Sequence, residues 1–453
     1  MSTPDAAASE GADGGEVGRR LELEVESVAV GGDGVAREPS GRVVFVPVTA
    51  PGDRVRARVT EDRGSFLRAL AEEVLVPGPD RRPPPCPYYG ACGGCQLQHL
   101  EPAAQREAKR GAVRDALRRI GGLEAEVPPV REAGPRLGYR NRIALTLRRG
   151  DGGAPAGAGG ADVRAGYHAR GEPDRLVEVT GCPLAEPAVA EAWRALRRSW
   201  GPAARHLPAG EELRITVRGS ATGSVAVLVE GGAPGEPGNP ERVAAAVPGL
   251  STYAWRPGGE RRARILAGEP VLRERWQGFE VDLAPGVFLQ VNRRVSEAVE
   301  RSLDEGLGPV DGLRVLDLYA GVGTRAARWS LRGAEAAACE ADPDAVAAGE
   351  EAASRAGASP ELRAGRVEDL LGTLVPADVV VLNPPRTGLS RQVARALRER
   401  GGAARLAYVS CDPATLARDL ARLAGAWELK GLEAFDAFPQ TAHVETLAWL
   451  EAA

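Results

Sequence analysis

Cys411 lies in the tetrapeptide Ser410-Cys411-Asp412-Pro413, directly after the apolar run Leu406–Val409 and ahead of a helix-like stretch, Pro413–Ala424. A thiol at a strand end, facing a helix N-terminus, is placed to act as a nucleophile. The positive end of the helix dipole should lower its pKa and raise its thiolate fraction. Covalent catalysis also needs a group that moves protons. Glu445, in His443-Val444-Glu445-Thr446, offers a carboxylate for that task, although by spacing alone it reads as a surface acid on a final strand.

A second group of residues suits a nucleotide-like cofactor. Val315–Leu318 is an apolar strand running into Tyr319-Ala320-Gly321-Val322-Gly323-Thr324, and the glycines let the backbone approach a ligand at the strand's carboxyl end. Glu340 closes the next strand about twenty residues on, where a carboxylate can accept both ribose hydroxyls. A dinucleotide fingerprint would need a third glycine where Ala326 stands. S-adenosylmethionine (SAM) is therefore the better cofactor, and Cys339, beside Glu340, reads as a small buried filler. A further strand, Val379–Leu382, leads into Asn383-Pro384-Pro385-Arg386. Read alone, that loop resembles the one with which amino-directed methyltransferases hold an amide or adenine nitrogen. Those enzymes continue with an aromatic residue; here the position holds Arg386.

The remaining cysteines group separately. Cys86, Cys92 and Cys95 sit on a short loop with Gly90, Gly93 and Gly94, and Cys182 lies in Thr180-Gly181-Cys182-Pro183. Three thiolates leave a four-coordinate site one ligand short, and Cys182 is the free thiol elsewhere in the chain. Tetrahedral zinc and a 4Fe-4S cluster both fit such a set. The chain has six cysteines and no export-signal pattern, which argues against a disulfide framework and for a cytoplasmic protein.

The elements that must position these groups follow from hydrophobic period. At 453 residues the chain is expected to hold several domains. Residues 1–18, rich in Ala, Gly and acids, read as a disordered tail. Residues 19–77 alternate as short strands, Leu21–Val25, Val43–Val46 and Val55–Val59, with turns at Gly31–Gly34 and Pro51–Asp53, which predicts a small β-barrel. Residues 78–284 begin with the linker Pro77–Pro85 and carry strand-like runs at Ile143–Leu147 and Ser224–Val229, with Gly- and Pro-rich loops at 150–160 and 231–240. They predict an α+β domain. Residues 285–453 alternate strand and helix, which predicts a Rossmann-like α/β domain with buried parallel strands. The net charge of −4 argues against a nucleic-acid partner on average, yet Arg106–Arg149 is locally basic, with a helix over Gln105–Ile120. Within it, Tyr139-Arg140-Asn141-Arg142 interleaves an aromatic with guanidinium groups, a pattern that suits base stacking and phosphate contact.

Longer motifs carry a family resemblance. Gly31 through Gly41–Pro47 to Pro51-Gly52-Asp53 resembles the TRAM domain, an OB-like barrel of RNA-modifying enzymes. Cys86-Pro87 to Cys92-Gly93-Gly94-Cys95-Gln96-Leu97-Gln98-His99 and Val179–Leu184 resemble the iron-sulfur ligand segments of the RNA (uracil-5-)methyltransferases. Phe288–Asn292, Tyr408–Asp419 and Phe438–Glu445 resemble that family's SAM-contact, nucleophile and base segments. The resemblance implies a 4Fe-4S cluster on Cys86, Cys92, Cys95 and Cys182, with Cys411 as nucleophile and Glu445 as base. It further implies SAM contacts from Gln290, Tyr319, Gly321, Gly323, Thr324, Glu340 and Asn383. Two positions depart from the family's commoner form: Asn383 stands for aspartate and Asp412 for asparagine.

The expected activity is SAM-dependent methylation of uridine carbon 5 in RNA, by a monomer without a DNA or membrane partner. Ribosomal 23S RNA is the favoured substrate because bacterial members of the family with both a TRAM barrel and a cluster typically act on large-subunit ribosomal RNA. The alternatives are a tRNA uracil-5-methyltransferase, an amino-directed methyltransferase using Asn383-Pro384-Pro385, and a noncatalytic RNA-binding factor.

Overall fold

In the computed structural model, residues 16–150, 163–399 and 403–453 are described. Most of the expected tail and of the loop at 150–160 lies outside them. The chain divides into two compact units, one running to Pro84 and adding Gln96–Ala108, the other made of Pro85–Cys95 and Lys109–Ala453.

The first unit is a barrel of β1 (Arg20–Val28), β2 (Gly34–Arg37), β3 (Val43–Val46), β4 (Arg54–Asp62) and β5 (Phe66–Val76), closed in the order β1-β2-β3-β5-β4. Period two decides what fills it: Leu21, Leu23 and Val25 of β1, with Val55, Ala57 and Val59 of β4, point inward. Closure leaves no unpaired strand edge. Asp53 pins the turn before β4, accepting from the amides of Ala50 (2.6 Å) and Gly78 (2.8 Å) and from Arg81. Burial would raise this carboxyl's pKa, but Arg81 and the two amides outweigh it and hold the group below its usual range.

Helix α1 (Pro102–Arg119) precedes a seven-stranded sheet built from β6 (Arg142–Arg149), β7 (Val163–Ala169), β8 (Glu172–Glu178), β9 (Glu212–Gly219), β10 (Val225–Gly231), β11 (Leu250–Arg256) and β12 (Arg264–Gly268). Its order is β12-β11-β10-β9-β6-β7-β8. One face carries Leu145, Ile215, Val227 and Trp255, which form a core with Trp193 of α2 (Pro187–Ser199) and Val243 of α3 (Pro240–Ala246). The alternate residues of each strand necessarily face the other way. A hairpin, β13 (Leu272–Trp276) and β14 (Phe279–Leu283), follows.

The last sheet comprises β15 (Arg314–Leu318), β16 (Glu335–Glu340), β17 (Glu361–Ala364), β18 (Val379–Leu382), β19 (Arg405–Ser410), β20 (Trp427–Phe435) and β21 (Glu445–Ala452), ordered β17-β16-β15-β18-β19-β21-β20. Its helices are α4 (Arg293–Leu307), α5 (Thr324–Ser330), α6 (Pro343–Arg355), α7 (Val367–Leu374), α8 (Arg391–Glu399) and α9 (Pro413–Leu423). Leu316, Val380, Leu382 and Leu406 pack on one face with residues of α7, α8 and α9, while Val315, Val379, Val381 and Val409 pack on the other with α4 and α5. Covering both faces is why these strands read as continuous apolar runs, and each such buried side chain stabilises the fold by roughly 1.5–3 kcal/mol. The expectation of a parallel sheet needs one correction. β21 runs antiparallel to both β19 and β20, because a short loop rather than a crossover helix joins β20 to β21.

Candidate active site

The carboxyl ends of β15, β16, β18 and β19 lie at one edge of the sheet, and the sequence-expected residues sit on the loops that leave it. After β15 the backbone takes positive φ at Tyr319 (63°), Gly321 (58°) and Gly323 (67°). At Gly323 the left-handed backbone, with the Leu362 side chain 2.9 Å from where a Cβ would stand, favours glycine. Glu340 holds the loop: its carboxylate accepts from the amides of Gly321 and Asp342, both at 2.9 Å. The Thr324 hydroxyl turns toward the hairpin and donates to Gln277 Oε1 at 2.7 Å. Cys339 is buried, as its filler role requires.

Gln290, Asn292, Asn383, Phe438 and Glu445 line one cleft of about 370 Å³ together with Glu300 and Arg325. Asn292 caps α4, and its Nδ2 donates to the Ala437 carbonyl at 2.9 Å, so the segment carrying Gln290 is tied to the segment that precedes Glu445. That segment is further anchored by Lys109, whose ammonium meets Asp436 (2.5 Å) and the Phe438 carbonyl (3.0 Å), and by the Tyr139 hydroxyl, which donates to the Pro439 carbonyl at 3.0 Å. Lys109 and Tyr139 are therefore buried, and Arg140 is half-buried, rather than forming the expected RNA-facing surface. Arg131, by contrast, stays exposed while pairing with Glu433 at 2.6 Å.

Cys411 follows β19, and Glu445 opens the neighbouring β21, where the Thr446 hydroxyl donates to the Ser410 carbonyl at 3.0 Å. Burial, then the Glu445 carboxylate, pushes the thiol up to about 11, and Arg386 opposes only part of this. The expectation of a thiol lowered by the α9 dipole is thus reversed, because desolvation and a neighbouring anion outweigh a helix end. Complete burial pushes Glu445 up to about 7, with Arg325 and Arg386 pulling it back. Arg325 is itself held by Glu300 (2.7 Å) and Asp317 (2.9 Å). Burial favours protonated Glu300, but Arg325 and Arg328 outweigh it and hold the carboxyl at about 2.

The sequence marked Arg386 only as the residue that replaces an aromatic after Pro384-Pro385, and it gave no role to His443, Arg325 or Gln277. Arg386 Nη2 meets His443 Nε2 at 3.2 Å, and burial together with Arg386 holds the imidazole neutral, at about 4. The His443 ring also packs edge-on against Phe438. Arg386 and His443 lie inside the Asn383–Arg386 and Phe438–Glu445 motifs, so the available signal was the motif and not a spacing rule.

The loop with Cys86, Cys92 and Cys95 lies against β7 and the turn at Cys182. The Gly93 amide bonds the His168 carbonyl at 3.0 Å, and the Tyr88 and Thr180 hydroxyls meet at 2.7 Å. Cys92 feels the charges of Cys182 and Cys86, and Tyr167 those of Cys182, Cys92 and Cys95, so the four thiols share one neighbourhood. Among the described residues, no three His, Cys, Asp or Glu side chains close to metal-binding geometry. The soft donor set fits an iron-sulfur cluster in kind.

A mostly parallel sheet with a glycine turn and an acidic strand end at its carboxyl edge defines a SAM-type methyltransferase domain. Comparison with known proteins narrows the class. Residues 15–71 match the TRAM domain and residues 361–453 match the tRNA (uracil-5-)-methyltransferase family. The chain is 35% identical to a 23S rRNA (uracil(1939)-C(5))-methyltransferase, RlmD, of Chromohalobacter salexigens, over 94% of this chain and 88% of that one. It is also 35% identical to RlmD of Halomonas elongata, over 96% and 90%. The fold matches Pyrococcus abyssi tRNA (uracil-54, C5)-methyltransferase, solved with S-adenosyl-L-homocysteine, at a TM-score of 0.71 and 24% identity, covering 95% of this chain and all of that one. The chain belongs to the SAM-dependent RNA (uracil-5-)methyltransferase family.

Proposed function

We propose that the protein methylates carbon 5 of a uridine in 23S rRNA through a covalent adduct on Cys411, with Glu445 as the base. One observation carries the reading: a thiol and a buried carboxylate stand on adjacent strand ends beside the cleft, close enough that the Glu445 charge bears on the Cys411 thiol. Uracil carbon 5 is a poor nucleophile. Addition of the Cys411 thiolate to carbon 6 generates an enolate whose carbon 5 can attack an electrophilic methyl group. Glu445, ionised, then removes the carbon-5 proton, and elimination frees the thiol. The resting thiol is protonated at neutral pH, so Cys411 gives its proton to solvent as it adds to carbon 6 and regains one after elimination frees it.

SAM supplies the electrophilic methyl group when bound. Gln290 and Asn383 would meet it from the cleft, with Tyr319, Gly321, Gly323, Thr324 and Glu340 along the turn after β15. Cys86, Cys92, Cys95 and Cys182 would hold a structural 4Fe-4S cluster. The two RlmD relatives favour 23S rRNA over tRNA, since each spans nearly the whole chain at 35% identity. A monomer working in the cytoplasm suits that substrate, and no helix among the described residues is long and apolar enough to cross a membrane.

RNA carrying 5-fluorouracil tests the mechanism, because fluorine at carbon 5 cannot leave as a cation. Wild-type enzyme with SAM should yield a stable protein–RNA adduct in denaturing gels, and Cys411→Ala should yield none. An adduct that persists in Cys411→Ala would sink the covalent reading. Mapping 5-methyluridine in 23S rRNA and tRNA from a deletion strain tests the substrate, with loss from 23S rRNA expected.

A further inference from the structure

We propose that the second face of the central sheet binds a phosphodiester group of the RNA in a pocket built by Arg142, Arg218 and Thr216. The inference rests on the RNA-methylating role and adds to it a positioning site away from the methyl-transfer cleft.

Strand register assembles the pocket. Arg142 lies directly opposite Arg218 across β6 and β9, and Arg218 lies opposite Ala226 of β10, which in turn neighbours Thr252 of β11. Two residues along, Thr216 pairs with Leu228, and two further on Arg214, Glu230 and Arg256 form the next row. All of these side chains share the face turned away from the apolar core. Like charges directly opposite on a sheet are unfavourable without a counter-ion. Here four arginines face one carboxylate, and Glu230 is already engaged by Arg256 and, at 3.8 Å, by Arg214.

Arg142 and Arg218 make no ion pair of their own, and the carboxylates whose charge reaches them, Glu230 and Glu274, are engaged by other arginines. Arg218 is 8% exposed; its Nη1 donates to the Val287 carbonyl at 2.8 Å, while its Nη2 is buried with no partner. The Thr216 hydroxyl is likewise buried and unpartnered. Arg142 is half-buried, and its side chain makes no hydrogen bond or ion pair among the described residues. Glu274, whose charge reaches Arg218, is occupied by Arg293 Nη1 (2.7 Å) and the Ala221 amide (2.9 Å). These donors line a cleft of about 400 Å³ walled by Leu228 and Leu283, and it shares no residue with the methyl-transfer cleft. Two guanidinium groups and a hydroxyl converging on one space match a phosphate's charge and several acceptor oxygens. Of the Tyr139–Arg142 motif, Arg142 is the member left to make that contact.

Filter binding of the full-length protein to a 23S rRNA transcript, across a salt series, tests the site. Arg142→Gln should weaken binding about tenfold and flatten the plot of log affinity against log salt by about 0.7–0.9, the loss of one phosphate contact. Thr216→Val should weaken binding without changing that slope. Arg218→Gln risks misfolding, so Arg142 carries the test, and retained SAM binding reports that the variant is folded. Unchanged affinity and slope in Arg142→Gln and Thr216→Val would overturn the pocket alone. Failure of wild type to bind the transcript would instead sink the proposed substrate and the pocket with it. Thermal stabilisation by inorganic phosphate that the variants lose, with RNA affinity unchanged, would mark a free-anion site and overturn the RNA assignment.

Discussion

Glu445 has to ionise to act as a base, yet it lies where ionisation is costly. Its pKa of about 7 means that at pH 6 most molecules would carry it protonated and unable to take the carbon-5 proton. Activity should therefore fall on the acid side with an apparent pKa near 7, read from kcat/KM for methyl transfer against pH. Arg386 pulls Glu445 downward, so Arg386→Gln should move that limb to higher pH whatever it does to the plateau; a limb that stays put would show that the cation does not act through Glu445. Cys411 and Glu445 were legible as chemistry because motifs surround them. Their charge states were not, since desolvation depends on which distant side chains cover a group. Arg325, held by Glu300 and Asp317, is a case no local pattern announces.

Helix α9 accounts for one departure from the family pattern. Asp412 is its N-cap, and its Oδ1 accepts from the Thr415 amide at 2.8 Å. Asparagine and aspartate cap about equally well, so the exchange preserves the helix start behind the nucleophile. Asp412→Asn should leave thermal stability nearly unchanged, while Asp412→Ala should cost about 1 kcal/mol in a denaturant melt. Equal losses in both variants would show that the charge matters more than the cap. The hairpin β13–β14 illustrates the opposite case. Its two turn residues, Gln277 and Gly278, both have positive φ (51° and 91°), as in the mirror-image turns usually announced by Asn-Gly, and glutamine in the first position hides the signal. With it went Gln277's link to Thr324.

At the scale of the whole molecule, the cysteine neighbourhood makes a separate prediction. Anaerobically purified protein should be brown and contain about four irons per chain, as a 4Fe-4S cluster requires, and Cys92→Ser should lose the visible absorbance; a colourless protein loaded with zinc would defeat the iron-sulfur assignment. Barrel strands, buried strands, the glycine turn and the thiol groups could be read directly from the sequence, because period two, apolar runs and residue chemistry are local properties of the chain. The fate of the basic segment could not. Lys109 and Tyr139 look like RNA contacts in sequence, but in the fold they tie down the segment before Glu445, because their partners lie some three hundred residues away. The tertiary structure alone decided that the thiol is raised rather than lowered and that Arg142 and Arg218 share one face. Burial and strand register arise only when remote segments pack together.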